Sequence, residues 1–385
     1  MGLARRRPGM LLSGHVMSPM RASIASAAIA VALASNAHAG SMDPATERLV
    51  LQPGGMNSGQ TCQNIAANPT TAPGGNPNNF PCAPDNVAFA NYMSELGFAM
   101  APNAFHPART TGFGGFVLSV EASYTKINQD ASSTAKDGTK VQYWHQATRG
   151  ATDPNTKNFS TTNSAPDGLL QVYSLKARKG LPLGFELTGA LGYLANSSLW
   201  MLGADVRWAP FEGFRTGAGG ILPDISVGGG VRTVMGTDKF TLTTVGMDVQ
   251  LSKPIAIAST TSLTPYVGFQ RLWVFGDSTV IDSTPNTSAV DQCGYQGADP
   301  TTGQPVCKNT LPSGAPNNGD FNNNIVFEKV RTERNRGIIG LNFRYEMVTL
   351  AGQILFDLTD PTGEGQQFLQ PSRQWTLSFE VGVFF

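Results

Sequence analysis

WTLSFEVGVFF, residues 375–385, ends the chain with a strict two-residue period. The side chains of one parity are all apolar: Trp375, Leu377, Phe379, Val381, Val383 and Phe385. The other parity carries mainly polar or small side chains: Thr376, Ser378, Glu380 and Gly382, followed by Phe384. Successive side chains of a β-strand point to opposite faces. The stretch therefore predicts a strand with one apolar face and one polar face.

The same period recurs upstream, from about residue 113 onward. The segments lie at about 113–126, 168–179, 184–195, 199–209, 224–234, 240–251, 262–274, 334–346, 348–358 and 373–385. The alternation is less regular in Leu169–Arg178 and Leu263–Val274. Val141–Arg149 and Ile325–Glu333 are two further candidates. The sequence thus predicts ten long strands, and twelve is the alternative.

Alternating strands occur in two architectures. In a soluble β-sandwich the apolar face packs on a second sheet, whereas in a membrane barrel it meets lipid and the polar face lines the lumen. Segments of about ten residues suit a tilted strand that crosses a bilayer. Aromatic residues near the strand ends, and connections that alternate between short and long, are also typical of barrels. Residues 112–385 are therefore predicted to form a closed antiparallel up-and-down transmembrane β-barrel.

Composition excludes several classes of protein. Charged residues make up 14% of the 385 residues, against about 25% in soluble domains. Lys+Arg and Asp+Glu are both 27, so the clustered positive charge that nucleic-acid binding needs is missing. Neither a nucleic-acid binder nor an ordinary soluble enzyme fits these values.

The first residues predict export. Residues 1–39 contain basic residues, a short apolar core at 23–34 and the small-residue site Ala37–Ala39, which together are typical of a secretory signal peptide. An oxidising compartment permits disulfides. The four cysteines are therefore predicted to form two local pairs, Cys62 with Cys82 and Cys293 with Cys307.

The segment 40–111 precedes the predicted barrel and contains one predicted helix. Asp85 is a candidate N-cap for a helix that runs to about Met100, and Pro102 and Pro107 follow it. This segment is expected on the periplasmic side. Because the helix is apolar, it could plug the periplasmic mouth of the barrel, pack under the rim or bind a partner.

The polar faces of the strands predict a charged lumen. The residues assigned to it are Glu121, Lys176, Arg178, Glu186, Asp205, Arg207, Arg232, Asp248, Arg344, Glu346, Asp357 and Glu380. Opposite charges in a narrow bore could pair, brace the wall and occlude it. Alternatively, they could guide small polar solutes through a selective pore.

The chain end also carries a family resemblance. Trp375, Phe379, Val381, Val383 and Phe385 resemble the C-terminal insertion signal of bacterial outer-membrane β-barrel proteins. This resemblance implies insertion by the barrel-assembly machinery into the outer membrane of a Gram-negative bacterium, among lipid and lipopolysaccharide. With an even number of strands, both termini are expected in the periplasm and the long connections outside.

Two functions follow as expectations. The first is a narrow channel or transporter for small solutes. The alternative is a non-conducting structural or surface-interaction barrel, active in adhesion or complex assembly, whose long extracellular loops contact a protein partner. His106 and His145 are the histidines that follow the signal peptide, and neither lies in a recognisable acid–base arrangement. No enzymatic activity, cofactor, metal site or nucleic-acid partner is predicted.

Overall fold

Ten long strands, β1 to β10, dominate the described part of the chain. The computed structural model describes residues 40–51, 83–134, 140–151, 162–211, 222–282, 295–302, 305–307, 324–363 and 372–385. The strands are β1 (Phe116–Lys126), β2 (Leu169–Gly180), β3 (Phe185–Leu194), β4 (Trp200–Trp208), β5 (Asp224–Met235), β6 (Phe240–Ser252), β7 (Thr261–Ser278), β8 (Val330–Tyr345), β9 (Val348–Asp357) and β10 (Trp375–Phe384).

The ten strands close into a barrel. Each strand pairs antiparallel with the next. The last strand returns to the first, in a register that runs from Thr376 opposite Thr125 to Phe384 opposite Val117. Because every long strand has two neighbours, the backbone groups of the sheet are paired within the chain. The closed antiparallel barrel predicted from the sequence is confirmed.

The strand number is ten, and the two extra candidates do not cross the barrel. Residues 140–147 form a three-residue strand, Lys140–Gln142, and a short helix. The other candidate overlaps the start of β8, which begins at Val330 and extends farther than the prediction.

Two helices accompany the barrel, α1 (Asn86–Met100) and α2 (Tyr143–Ala147). Short elements complete the described chain: 3₁₀ turns Thr46–Leu49 and Pro182–Gly184, and strand segments Val50–Leu51, Ala83–Pro84, Ser132–Thr134, Lys140–Gln142, Ile255–Ala258, Ile281–Asp282, Tyr295–Ala298, Pro305–Cys307, Asn324–Ile325 and Thr362–Gly363. Within these described ranges, no helix has both the length and the apolar character needed to cross a bilayer.

The outer face of the barrel is an apolar belt between two aromatic levels. Side chains such as Met247 and Phe379 are 59% and 50% exposed on it. At one level Tyr193 contacts Trp200, with ring centroids 4.8 Å apart. At the other level the rings of Phe185 and Trp208 stack 5.9 Å apart. Aromatic girdles that bound an apolar band are the signature of a barrel embedded in lipid.

The two mouths of the barrel differ in their connections. The mouth near Trp200 carries the connections 127–168, 279–329 and 358–374 and is called the long-connection end. The mouth near Trp208 carries the connections 181–184, 209–223 and 253–260 and the two-residue turn 346–347, and it is called the short-turn end. Glu346 occupies that tight turn with a φ of 49°, in the left-handed region.

The chain before β1 runs through the barrel. α1 is buried at the long-connection end, and residues 101–112 descend from it through the lumen to β1. Residues 86–112 are called the plug. Asp85 caps α1 as predicted, because its Oδ1 accepts a hydrogen bond of 2.9 Å from the amide of Ala88.

The two ends of the described chain therefore lie at opposite mouths. Near its start, the amide of Met42 donates to the carbonyl of Asn196, in the β3–β4 turn at the long-connection end. The amide of Phe385 donates to the carbonyl of Phe116 at the short-turn end. An even strand number places the first and last strand ends together, as the sequence indicates. It does not place residue 40 there, because the plug carries the chain to the other mouth.

The signal peptide and the disulfides lie outside this description. Residues 1–39, Cys62, Cys82 and Cys293 are not among the described residues, nor is the side chain of Cys307. The predicted cleavage and the predicted pairing stay predictions.

Candidate functional site

α1 packs inside the barrel on apolar side chains of the wall. Phe89, Met93 and Phe98 of α1 share one buried hydrophobic cluster with inward residues of the strands, including Leu272 and Val274. All thirteen residues from Ala88 to Met100 are buried. A helix that is apolar on every side requires burial all round, and the mouth of the barrel provides it.

A buried carboxylate joins α1 to the long connection between β1 and β2. The hydroxyl of Tyr143 donates to Glu95 Oε1 over 2.6 Å, and the indole of Trp144 donates to Glu95 Oε2 over 2.7 Å. Burial raises the pKa of Glu95, and the hydrogen bonds from Tyr143 and Trp144 oppose that rise. Glu95 therefore fixes α2 against the plug.

Two buried arginines of β8 hold the plug from the wall. Arg334 donates to the carbonyl of Ser94 over 2.9 Å and pairs with Asp357 at 2.8 Å. Arg336 donates to the carbonyl of Pro102 over 2.6 Å. Both guanidinium groups lie over the ring of Phe98, at 4.7 and 4.9 Å from its centroid. Cation–π contacts between desolvated groups of this kind stabilise by up to about 2 kcal/mol.

The sequence analysis omitted these two arginines, although a signal for them existed. Gly340 and Asn342 belong to the inner face of β8, and counting back by two reaches Arg336 and Arg334. Both arginines lie within the predicted strand 334–346, but its two faces were assigned only from residue 339 onward.

Residues 101–112 are bound to the wall at successive levels of the bore. Backbone carbonyls of this segment accept hydrogen bonds from wall side chains: Asn103 from Gln353 at 2.7 Å, Ala104 from Gln250 at 2.8 Å and Pro107 from Arg207 at 2.7 Å. Near the short-turn end, the amide of Thr111 donates to Glu186 over 2.8 Å. The backbone of residues 101–112 therefore satisfies polar side chains of the inner wall that would otherwise need water as a partner.

Further charges pair with each other within the wall. Arg178 contacts Glu380 at 2.7 Å, and both side chains are buried. Arg232 donates to both oxygens of Asp205, at 2.8 and 2.6 Å. Lys176 pairs with Glu121, which also accepts from Asn103 of the plug over 2.5 Å. A bidentate arginine–carboxylate pair is among the strongest of protein hydrogen-bonded contacts.

The predicted lumen residues fall into two groups. Inside the bore lie Glu121, Lys176, Arg178, Glu186, Asp205, Arg207, Arg232, Asp248, Asp357 and Glu380. Two others lie at the short-turn end: Arg344 is exposed beside a cavity there, and Glu346 occupies the β8–β9 turn rather than the wall. The parity that assigned Glu346 to the lumen stops where the strand turns.

Glycines of β5 leave space for this network. A Cβ atom at Gly230 would overlap Asp205 and would lie 3.2 Å from the Cβ of Pro102. A Cβ at Gly228 would lie 3.0 Å from an oxygen of Asp248. The inner face of β5 is therefore bare where the plug and two carboxylates need room.

The residues of the predicted insertion signal lie on the outside. Phe379, Val381 and Phe385 are 50%, 55% and 55% exposed, and Val383 and Trp375 are also exposed. Their inward neighbours Ser378 and Glu380 are buried. This placement fits the apolar face of a last strand that meets lipid.

The two histidines lie in different surroundings. His106 is buried in the bore, and its carbonyl accepts from Arg207 over 3.3 Å. His145 lies in the connection 127–168, where its Nε2 is 3.3 Å from Asp130 Oδ1. The contact between His145 and Asp130 was not foreseen from the sequence, since fifteen positions separate them.

A cavity of about 530 Å³ opens at the short-turn end. Arg109, Arg178 and Arg344 line it together with Thr264 and Phe384. The described residues that line it include three arginines and no carboxylate side chain. This end of the lumen is therefore open space with a positive wall, unlike the packed long-connection end.

The closed ring, the exposed apolar belt and the two aromatic levels decide the fold. It is a transmembrane β-barrel.

Comparison with known proteins finds similar structures among solved barrels. Ail, the attachment invasion locus protein of Yersinia pestis, solved with the heparin analogue sucrose octasulfate, is similar over 71% of this chain and 99% of its own, at 12% identity and a TM-score of 0.23. The outer membrane protein OprG of Pseudomonas aeruginosa matches 73% of this chain and 99% of its own, at 11% identity and a TM-score of 0.27. The KdgM porin, solved with oligogalacturonate, matches 69% and 98%, at 7% identity and a TM-score of 0.23. No family model and no curated protein matches the chain.

Proposed function

We propose that this outer-membrane barrel is closed to solutes and acts at the cell surface through a cap that its plug anchors. The cap comprises Gly40–Leu51, α2 and the other described residues of the connection 127–168. One observation supports the proposal above the others: residues 101–112 occupy the bore, and α1 fills its long-connection end with buried side chains. We therefore expect the described residues to block a continuous aqueous path, which leaves recognition to the ends of the barrel.

The cap is built by contacts between the N-terminal segment and the long connection. The amide of Ala45 donates to the carbonyl of Ala147 over 2.8 Å, and the amide of Arg149 donates to the carbonyl of Asp43 over 2.9 Å. The side chain of Arg48 donates to the carbonyl of Thr148 over 3.0 Å. These contacts order the N-terminal segment and the long connection against each other above α1.

The orientation in the membrane belongs to the same proposal. In outer-membrane barrels, short turns face the periplasm and long loops face the outside. By that rule the long-connection end and the cap are extracellular, and Phe385 is periplasmic. Of the segment 40–111, which the sequence analysis expected in the periplasm, the described residues 40–51 are then presented outside the cell. The proposed surroundings are lipopolysaccharide and lipid, and insertion requires the barrel-assembly machinery.

Orientation is testable with a matched pair of threonines. Thr301 is exposed in the long connection between β7 and β8, and Thr260 is exposed in the turn between β6 and β7. A membrane-impermeant maleimide is expected to label Thr301→Cys in intact cells. It should label Thr260→Cys only after the outer membrane is opened. The reverse pattern would contradict the proposed orientation, and the wild-type chain is the background control.

The closed state is testable by electrical recording. The complete folded protein is expected to be silent when it is reconstituted in a planar bilayer, because hydrogen bonds from the wall hold the plug at several levels. Folding is checked by the heat-dependent shift in electrophoretic mobility that barrels show. Steady stepwise conductance of the complete folded chain would contradict the closed state and would favour a channel.

A gated channel is the second candidate function. The observation that favours it is the cavity at the short-turn end, which already reaches Arg178 and Thr264 on the inner wall. Conduction would then require displacement of the plug, which is held by non-covalent contacts in the described residues. Small polar solutes remain the substrates proposed for that state.

No catalytic role is part of this proposal. Hydrolases need a nucleophile within hydrogen-bond reach of a base that a third group orients. His145 and Asp130 form an exposed pair in which no described serine or cysteine takes part.

A further inference from the structure

The cavity at the short-turn end has the chemistry of a small-molecule site. Its volume of about 530 Å³ falls within the range of about 300–1,000 Å³ that is common for ligand pockets. Hydroxyl and amide side chains, including Thr110, Thr264 and Asn342, line it beside the arginines. Convergent polar groups of this kind orient a ligand.

Arg344 is the best-placed group for a ligand in this cavity. Its guanidinium carbon lies 3.8 Å from the centroid of the Phe384 ring, and its Nε donates to the carbonyl of Glu346 over 3.2 Å. These two contacts orient the guanidinium plane. Among the described residues, no hydrogen bond or ion pair engages its terminal nitrogens, which remain available as a bidentate donor.

The surrounding charges favour an anion. Of the three arginines that line the cavity, Arg178 is neutralised by Glu380, whose Oε1 lies 2.7 Å from its Nη2. Arg109 and Arg344 both border the cavity, and both are exposed. Two positive groups beside one polar space attract a carboxylate or phosphate group, which Arg344 can bind through two hydrogen bonds.

We propose that this cavity, formed by Arg109, Arg344 and the hydroxyl groups around them, binds a small soluble oxyanion that carries a carboxylate or phosphate group. The site lies at the mouth opposite the cap, so it is independent of whether the cap binds a partner. It does not require an open bore, because it is reached from the short-turn end. This anion-binding site is a property beyond the proposed function of the closed barrel.

The test is calorimetric titration of the complete folded protein in a non-ionic detergent. Inorganic phosphate and succinate are titrated separately, which distinguishes the two oxyanion classes, and glucose is the neutral control. Saturable binding of at least one anion is expected, with none for glucose. Arg344→Gln is expected to weaken binding by about tenfold or more, because it removes a charge-assisted donor.

Two further variants keep the proposal falsifiable. Arg373→Gln changes an exposed arginine near the other mouth that pairs with Asp360, and its affinity should equal that of the wild type. Arg109→Gln lies outside the strands and repeats the test if Arg344→Gln does not fold. The proposal is overturned if neither anion binds, or if Arg344→Gln and Arg109→Gln bind as the wild type does. Equal weakening by Arg373→Gln would also overturn it, since that indicates unspecific attraction.

Discussion

The Asp357→Asn variant is expected to unfold with a free energy about 3–5 kcal/mol below that of the wild type. Asp357 pairs with Arg334 at 2.8 Å, and both side chains have an exposure of 0%. The substitution keeps the shape of the side chain and removes its charge, which leaves a guanidinium buried without its counter-charge. Equilibrium unfolding by urea in detergent micelles, followed by tryptophan fluorescence, measures the difference.

The chain contains a matched control three residues later. Asp360 pairs with Arg373 at 2.7 Å, but their side chains are 80% and 58% exposed. Asp360→Asn is therefore expected to leave the unfolding curve unchanged, because water and salt screen exposed pairs. If both variants unfolded alike, the buried pair between Arg334 and Asp357 would not be a support of the barrel.

Removal of residues 41–110 is expected to turn a silent protein into one with stepwise conductance. Barrels of eight strands have a bore just wide enough for their own side chains, and ten strands enclose more space. Pairs within the wall, such as Arg178 with Glu380 and Arg232 with Asp205, do not involve the plug and should persist. Planar-bilayer recording of the deleted and complete chains gives the comparison.

A point substitution tests the same idea without a deletion. A Cβ atom at Gly97 would overlap the side chain of Val274 in the wall. Gly97→Leu is therefore expected to push α1 out of its seat and to produce transient openings. Gly189→Leu adds the same volume on the lipid face, where no atom lies within 4 Å of a Cβ, and should stay silent.

The deletion has its own contradicting outcome. If the chain without residues 41–110 folds and does not conduct, wall side chains alone close the bore.

Much of the barrel is encoded in local alternation. The predicted and observed strands agree to within a few residues for most elements, including 169–180 for β2 and 348–357 for β9. The reason is that the side-chain period of a strand is two, and a lipid-facing strand must keep one face apolar along its whole length. The same parity assigned Arg178, Arg232 and Glu380 to the inner face, where the structure has them buried.

The alternation of side chains does not show where a strand ends, so it cannot assign residues beyond that end to a face. Glu346 continues the inner face by count, yet the chain turns there with a φ of 49°. The start of β8 was predicted four residues late, at residue 334 instead of Val330. Both errors concern strand ends, where pairing partners rather than the local pattern decide whether a strand continues.

The amino-acid sequence by itself determined the ten strands, their two faces, the closed barrel and the capped helix at Asp85. Only the tertiary structure decided that this helix enters the long-connection end and that the chain before β1 threads the bore. The physical reason is the range of the contacts. Alternation is set by adjacent residues, but the seat of α1 depends on groups such as Arg334, which lies 240 positions from Ser94. An apolar helix requires burial, and its sequence does not specify which of the two mouths supplies it.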